Sequence, residues 1–342
     1  MDWKRIAKTL WELPGKTAMV RFQAALRGHS RLQWLEALRA TGIAQRLGQG
    51  ASVEELRSGL AVVQAELLQS FLDYGARIGE LRRRGDRYEL RGVLARALAA
   101  STPEGIAMAG MLEETVRYHG DVFRDLPKTL RESVRPDYLA AYGGVVAQSS
   151  RLLFPMIWGY VDKALGGSAD LSILEMGCGS GIYLKAYSEL GAGLHGVGVD
   201  LSAGALAVAQ ANLDAWGIGD RFTLLRADLR EEVWPSALDG PFDVITSYQN
   251  VYYFTAAERA RLFQKFAVHL APGGRVFVVS TFSANAPISR YFDVILLASA
   301  GCYALPRVEE VHRELTAAGL VVDAESQLVP GQPLFGLVAR RP

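Results

Sequence analysis

Apolar positions first fall into a helical period in RLQWLEALRATGIAQRL, where Leu32, Leu35, Leu38, Ile43 and Leu47 share a face around a break at Gly42. Ser52 with Glu55 three residues later has capping-box spacing and predicts the start of a second, short helix. A third helix is predicted from about Val62 to Ala76. GELRRRGDRYELRG then gives two short strand-like runs around Arg84-Gly85-Asp86, which suits a hairpin turn. Residues 101–165 read as helical connectors, the later part rich in Tyr, Trp, Phe and small residues. That part could be a packing segment or a lid over a ligand.

The rhythm changes from Leu171. LSILEM, LHGVGVD, FTLLRAD, FDVITS and RVFVVS read as strands, separated by helical stretches near 182–190, 203–216 and 256–270. Such alternation predicts a parallel sheet with helices on both faces. A helix at about Arg307–Ala318 leads into LVVDAES and PLFGLVARR. The gap between those two strands is too short for a crossover helix, so they should pair antiparallel.

Composition changes the picture at two points. The 342 residues are 50% hydrophobic with a net charge of +1, but the halves differ: residues 1–165 carry 24 Lys/Arg against 18 Asp/Glu, and the remainder 13 against 18. Glycine concentrates where the second half opens, with 12 of the 35 between Gly166 and Gly219. Cys178 and Cys302 are too few for a disulfide framework or a four-cysteine zinc site, and no metal is expected. The start, MDWKRIAKTLWELPGK, is interrupted by charge and Pro14, unlike a secretory leader, and no apolar run is long enough for a membrane span. A cytoplasmic protein without membrane partners is therefore expected.

Three helices and a hairpin are the order of a winged-helix domain, which raises nucleic-acid binding. The third helix, VVQAELLQSFLDYGA, carries Glu66 and Asp73 and no Lys or Arg, and acidic residues interleave the arginines at 82, 83, 84 and 87. A dimer-forming role is the better expectation, with no nucleic-acid partner.

The strongest chemical signal is Glu175-Met-Gly177-Cys-Gly179-Ser-Gly181, between a predicted strand and a predicted helix. Glycines at such a turn let backbone approach a ligand closely. The dinucleotide pattern would need glycine at position 182, which is Ile182, and no Lys-Ser/Thr follows as in a P-loop. Asp200 ends the next strand, placed to accept from two ribose hydroxyls. Asp228 ends a third, where a carboxylate can accept from an adenine amino group.

Glu175–Gly181, Asp200, Asp228 and LAPGGRVFVVS at 270–280 together resemble the class I S-adenosylmethionine-dependent methyltransferases. The resemblance covers about residues 165–342 and implies an α/β Rossmann-like seven-stranded domain whose last strand is antiparallel, preceded here by a mainly helical winged-helix domain. It implies S-adenosyl-L-methionine as cofactor, with Gly177 and Gly179 lining the methionine moiety and Glu175 holding its amino group. Asp200 and Leu201 would hold the ribose, Asp228 and Leu229 the adenine, and Tyr248 would join the cofactor site. The fused architecture resembles the two-domain small-molecule O-methyltransferases and implies a homodimer. The division expected is 1–100 for dimerisation, 101–165 as linker and lid, and 166–342 for catalysis.

That resemblance also carries a departure. The O-methylating members have a general-base His after strand 4, where the stretch here is SYQNVYYFTAAERARLF and Tyr252 takes the position. A phenol or alcohol must lose a proton on attack, whereas an amine or thioether already presents a lone pair. Tyr252 and Gln249 are thus the candidate catalytic residues, in a mechanism resting on proximity and desolvation. Candidate acceptor contacts are Gln249, Tyr253, Tyr142, Tyr160 and Arg290, with Arg151 as another carboxylate binder; ordinary packing competes for each Tyr and a surface role for each Arg. The expected acceptor is a small molecule. The missing base makes the chain similar to the 4-methylthio-2-hydroxybutyrate S-methyltransferases of dimethylsulfoniopropionate synthesis. O-methylation of a phenolic or secondary-metabolite hydroxyl is the alternative, and a cofactor-sensing winged-helix regulator is the alternative of another class.

Overall fold

Gly42 breaks the first helical run as its position predicts. In the computed structural model, which describes residues 15–165, 167 and 170–342, Gly42 has φ 74° between α1 (Lys16–Ala40) and the short α2 (Ile43–Arg46). The reading of the first fourteen residues as unlike a secretory leader falls outside the described residues. α1 begins well upstream of the periodic stretch, and Met19, Val20, Phe22 and Leu26 on it are exposed. Ser52 accepts from the Glu55 N–H at 3.2 Å and Glu55 accepts from the Ser52 N–H at 2.8 Å, starting α3 (Val53–Gly59) where the capping box predicts. Such a cap is worth about 1 kcal/mol.

α4 runs Ala65–Arg77, slightly later than expected at both ends. β2 (Leu81–Arg84) and β3 (Arg87–Leu90) form the expected hairpin, and β1 (Ala51–Ser52) pairs with the other edge of β3. Trp34, Leu38, Leu72 and Tyr88 centre this core, where a Cβ on Gly75 would lie 2.1 Å from the Trp34 ring. α5 (Val93–Ala99) and α6 (Pro103–Glu113) join it through Ala95 and Leu112. A first compact unit thus ends at Val116, well inside the stretch read as a connector.

The second unit starts at Arg117 with three helices, α7 (His119–Thr129), α8 (Tyr138–Ser149) and α9 (Phe154–Leu165). Then comes the alternation read from sequence: β4 (Ser172–Met176), α10 (Ile182–Leu190), β5 (His195–Asp200), α11 (Ala203–Ala215) and β6 (Phe222–Arg226). β7 (Phe242–Tyr248), α12 (Ala256–His269), β8 (Leu270–Thr281), α13 (Pro287–Ala298), α14 (Val308–Ala317), β9 (Val321–Gln327) and β10 (Leu334–Arg340) complete the chain. The strands form one seven-stranded sheet in the order β6-β5-β4-β7-β8-β10-β9. β10 runs antiparallel to both β8 and β9, so the expected antiparallel pair is present at this edge.

The apolar runs are buried on both faces of the sheet. Ile245, Phe263, Phe266 and Val278 belong to the core on one side, and Ile173, Val244, Phe277 and Val161 to that on the other. Truncating any of these phenylalanines should cost about 3–5 kcal/mol. Asp243 ties β7 to β4 by accepting from the Ser172 N–H and hydroxyl, both at 2.9 Å, which is the structural role its place before the strand suggests. No helix among the described residues is long and apolar enough to cross a membrane.

Candidate active site

The strand order reverses beside β4, whose neighbours β5 and β7 lead to opposite edges of the sheet. Open α/β sheets take ligands beyond the carboxyl ends of their strands at such a point. Here the backbone leaves β4 through Gly177, Gly179 and Gly181, all left-handed at φ 69°, 52° and 75°. A side chain at Gly177 would meet strain and a neighbour together, since a Cβ there would lie 2.9 Å from Asn250 Nδ2. Asn250 is buried and donates to the Met176 carbonyl at 2.6 Å, bracing the turn from β7.

Asp200 closes the turn from the other side. One carboxylate oxygen accepts from the Gly179 N–H at 3.0 Å, and the other from the Ser202 N–H at 2.9 Å. Glu175 is 1% exposed, and one of its oxygens has no partner among the described residues. Burial, and then the charge of Asp200, hold its carboxyl well above the usual range. A buried acid with a spare oxygen fits an ammonium group brought in by a ligand. Cys178 is buried beside it with its thiol also pushed up by burial, which removes it as a nucleophile.

A cavity of about 690 Å³ opens from this turn. Gly177, Gly179, Asp200 and Leu201 line one side, with Asp228 and Leu229 from the loop after β6. The Asp228 carboxylate is taken up by Arg230, with contacts of 2.6–3.0 Å, so Arg230, which sequence reasoning passed over, shares this wall. Tyr248, Gln249, Tyr252 and Tyr253 follow from the end of β7, and α8 supplies Leu139, Ala140, Gly143 and Ala147 opposite. No histidine is among the lining residues. The Tyr248 hydroxyl is engaged with that of Tyr187 at 2.6 Å, and burial raises both phenols, so neither serves as a base.

Gln249 combines several constraints. Its backbone is left-handed at φ 55°, a conformation costing a side-chain-bearing residue about 1–2 kcal/mol. Its N–H donates to the Val279 carbonyl at 2.8 Å and its side-chain oxygen accepts from the Thr281 N–H at 3.0 Å. Its amide nitrogen is buried without a partner among the described residues. A smaller chamber of about 50 Å³, bordered by Ser150, Ser180 and Gln249, adjoins the main cavity. Arg151 donates to Ser180 at 3.3 Å, is half-buried, and has no acidic partner among the described residues. Burial lowers its pKa.

Known proteins converge on the same region. Residues 173–274 match the family model described as a methyltransferase domain. A release factor glutamine methyltransferase of Chlorobaculum tepidum is 38% identical over 96 residues, 28% of this chain and 32% of its own length. A ubiquinone biosynthesis O-methyltransferase of Cupriavidus pinatubonensis is 30% identical over 155 residues, 45% of this chain and 57% of its own. The chain thus spans about a third to three-fifths of these curated relatives. Among solved structures, an O-methyltransferase family protein from Burkholderia thailandensis aligns with TM-score 0.75 at 18% identity, covering 96% of this chain and 98% of that one. Human N-acetylserotonin methyltransferase, solved with S-adenosylmethionine, aligns at 0.73 and 15% identity over 95% and 97%. At these identities the likeness is one of fold.

Four residues expected at the acceptor, Arg151 among them, are absent from the cavity wall of the second unit. Tyr142 turns its hydroxyl to Asp121 on α7. Tyr160 packs on the sheet and donates to the Gly336 carbonyl at 3.0 Å. Arg290 is exposed and pairs with Asp293 at 3.5 Å. Aromatic content drew attention to Tyr142 and Tyr160, whereas the helix face that borders the cavity is the small one. Ala140, Gly143 and Ala147, spaced three and four apart in AAYGGVVA, were the available signal.

Proposed function

We propose that this protein transfers a methyl group from S-adenosylmethionine to a small molecule held in the cavity of its second unit. The residues present suit that cofactor. Glu175 offers a buried carboxylate to its ammonium, Asp200 and Leu201 border its ribose, and Asp228 and Leu229 its adenine. We assign its carboxylate to Arg151, a half-buried cation whose side chain, among the described residues, bonds Ser180 of the glycine turn. When bound, S-adenosylmethionine supplies an electrophilic methyl on a sulfonium sulfur, from which the acceptor's lone pair displaces S-adenosylhomocysteine.

The observation that carries the choice of acceptor is a cavity wall without a histidine. A positioned base contributes about 10²–10⁴-fold where a proton must be removed. A wall offering tyrosines, a glutamine and small residues suits an acceptor atom with a ready lone pair, oriented and kept dry. Our preferred reaction is S-methylation of a thioether acid such as 4-methylthio-2-hydroxybutyrate. Incubating the protein with S-adenosylmethionine and that acid should give a sulfonium product by mass spectrometry. No methyl gain there, with gain on phenols, would favour the second reading, O-methylation with Tyr252 as base, which the O-methyltransferase names of several relatives support.

We expect a cytoplasmic homodimer, which the exposed apolar residues of α1 support. For the regulator alternative, the hairpin arginines matter. Arg82 and Arg84 meet Glu89 at 3.1 and 3.6 Å, Arg83 meets Asp73 at 3.1 Å, and Arg87 meets Glu55 at 2.9 Å. Cations already facing carboxylates gain less from phosphate, so we expect no nucleic-acid partner.

A further inference from the structure

Gln249 holds a left-handed backbone that glycine or asparagine would adopt more cheaply, so its longer side chain needs a reason. The orientation of its amide is fixed. The Thr281 backbone N–H can only donate, so the atom 3.0 Å from it is the amide oxygen and the nitrogen must point away. That nitrogen is buried, unpartnered, and part of a residue lining both the main cavity and the small chamber beside it. A buried donor is satisfied in nearly all proteins, by protein, ordered water or ligand, and this one belongs to a residue of the cavity wall.

We propose that Gln249 reads the methyl acceptor, its Nε2 donating to a carboxylate or carbonyl oxygen that the acceptor carries near the atom to be methylated. This rests on the methyl-transfer reading above and deepens it. An oxygen lone pair could also come from the cofactor's own carboxylate, but Arg151 offers that group a full charge, leaving the neutral amide for the second molecule. A neutral donor selects oxygen-bearing acceptors over ammonium-bearing ones, because an ammonium has no lone pair to offer.

The test uses the full chain and two variants. Gln249→Glu keeps the oxygen facing Thr281 and replaces the donor with an acceptor. Gln249→Asn suits the left-handed backbone and withdraws the donor by one carbon, so strain cannot account for a loss. Calorimetry first measures S-adenosylhomocysteine and 5′-methylthioadenosine, which lacks the amino-acid group. The protein saturated with S-adenosylhomocysteine is then titrated with 3-methylthiopropanoate and 3-methylthiopropylamine, and with benzoate and benzylamine.

Wild type should favour the carboxylate of at least one pair by about tenfold, and both variants should lose that preference while binding S-adenosylhomocysteine within about twofold of wild type. No preference in wild type, or a preference that survives both variants, overturns the proposal. Weaker S-adenosylhomocysteine with unchanged 5′-methylthioadenosine in the variants assigns the donor to the cofactor and overturns it too. Failure of the methyl-transfer reading itself has a different signature: wild type would not bind S-adenosylhomocysteine.

Discussion

Asp200 accepts from the Gly179 N–H at 3.0 Å, so the residue expected to hold the ribose also fixes the glycine turn that meets the methionine end. Each carboxylate oxygen keeps a lone pair after its one backbone bond, which leaves room for two hydroxyls. Asp200→Ala therefore removes charged hydrogen bonds and the brace on the turn together. Affinity for S-adenosylhomocysteine should fall by at least about tenfold for each ribose hydroxyl bond lost, from roughly 1.5–3 kcal/mol per charged hydrogen bond. Calorimetry checks this, and an unchanged affinity would move the cofactor elsewhere.

Glu175 predicts a proton linkage. Its folded-state carboxyl is raised by burial and by Asp200, so its contribution to stability is fullest below the ordinary carboxylate range and is lost as pH rises toward the raised value. A ligand ammonium would stabilise the charged form and expel the proton. Binding of S-adenosylhomocysteine should thus release a proton, seen as a dependence of binding enthalpy on the ionisation enthalpy of the buffer. Glu175→Gln should abolish that dependence; its persistence would assign the proton to another group.

Tyr252 lines the cavity and is 4% exposed, edge-on to Phe292 with ring centroids 5.3 Å apart. In the base-free mechanism Tyr252→Phe should lower kcat by less than about tenfold, whereas a general base would be worth about 10²–10⁴. Steady-state rates with cofactor affinity measured alongside distinguish the two.

The roof of the cavity is tied from behind. Tyr138 donates to Asp125 at 2.9 Å and Tyr142 donates to Asp121, two rungs four residues apart that join α8 to α7. Burial and Asp125 raise the Tyr138 phenol, and its bond to Asp121 raises that of Tyr142, so both stay protonated donors through the physiological range. Replacing both tyrosines with Phe should raise the acceptor KM by about tenfold through a less fixed wall and leave S-adenosylhomocysteine affinity unchanged. Equal losses in both would mean the rungs only hold the fold.

Local signals carried much of the fold. The capping box at Ser52, the break at Gly42, the strand–helix alternation from Leu171 and the short gap before PLFGLVARR each report a backbone requirement met by nearby residues. The places of the glycine turn, Asp200 and Asp228 at or after strand ends were legible for the same reason, because closely spaced residues must form a strand end and a turn. The acceptor side was not, since it is assembled from α8, the end of β7 and the loop after β6. Tyr142 and Tyr160 were sought there for their aromatic rings, yet one faces α7 and the other the sheet. The register of a helix against its neighbours is a tertiary property, and small residues such as Gly143 give little local sign of the space they leave. The buried nitrogen of Gln249 was equally hidden, since its orientation depends on Thr281, thirty-two residues away.

The most direct test follows the methyl group. Purified protein is incubated with S-adenosylmethionine labelled in its methyl carbon and with separate pools of thioether acids, amines and phenols, and each pool is read by mass spectrometry. The account predicts label on a small molecule, foremost a thioether acid, and none with Asp200→Ala. Label retained on S-adenosylmethionine across every pool, under conditions where wild type binds the cofactor, would contradict it.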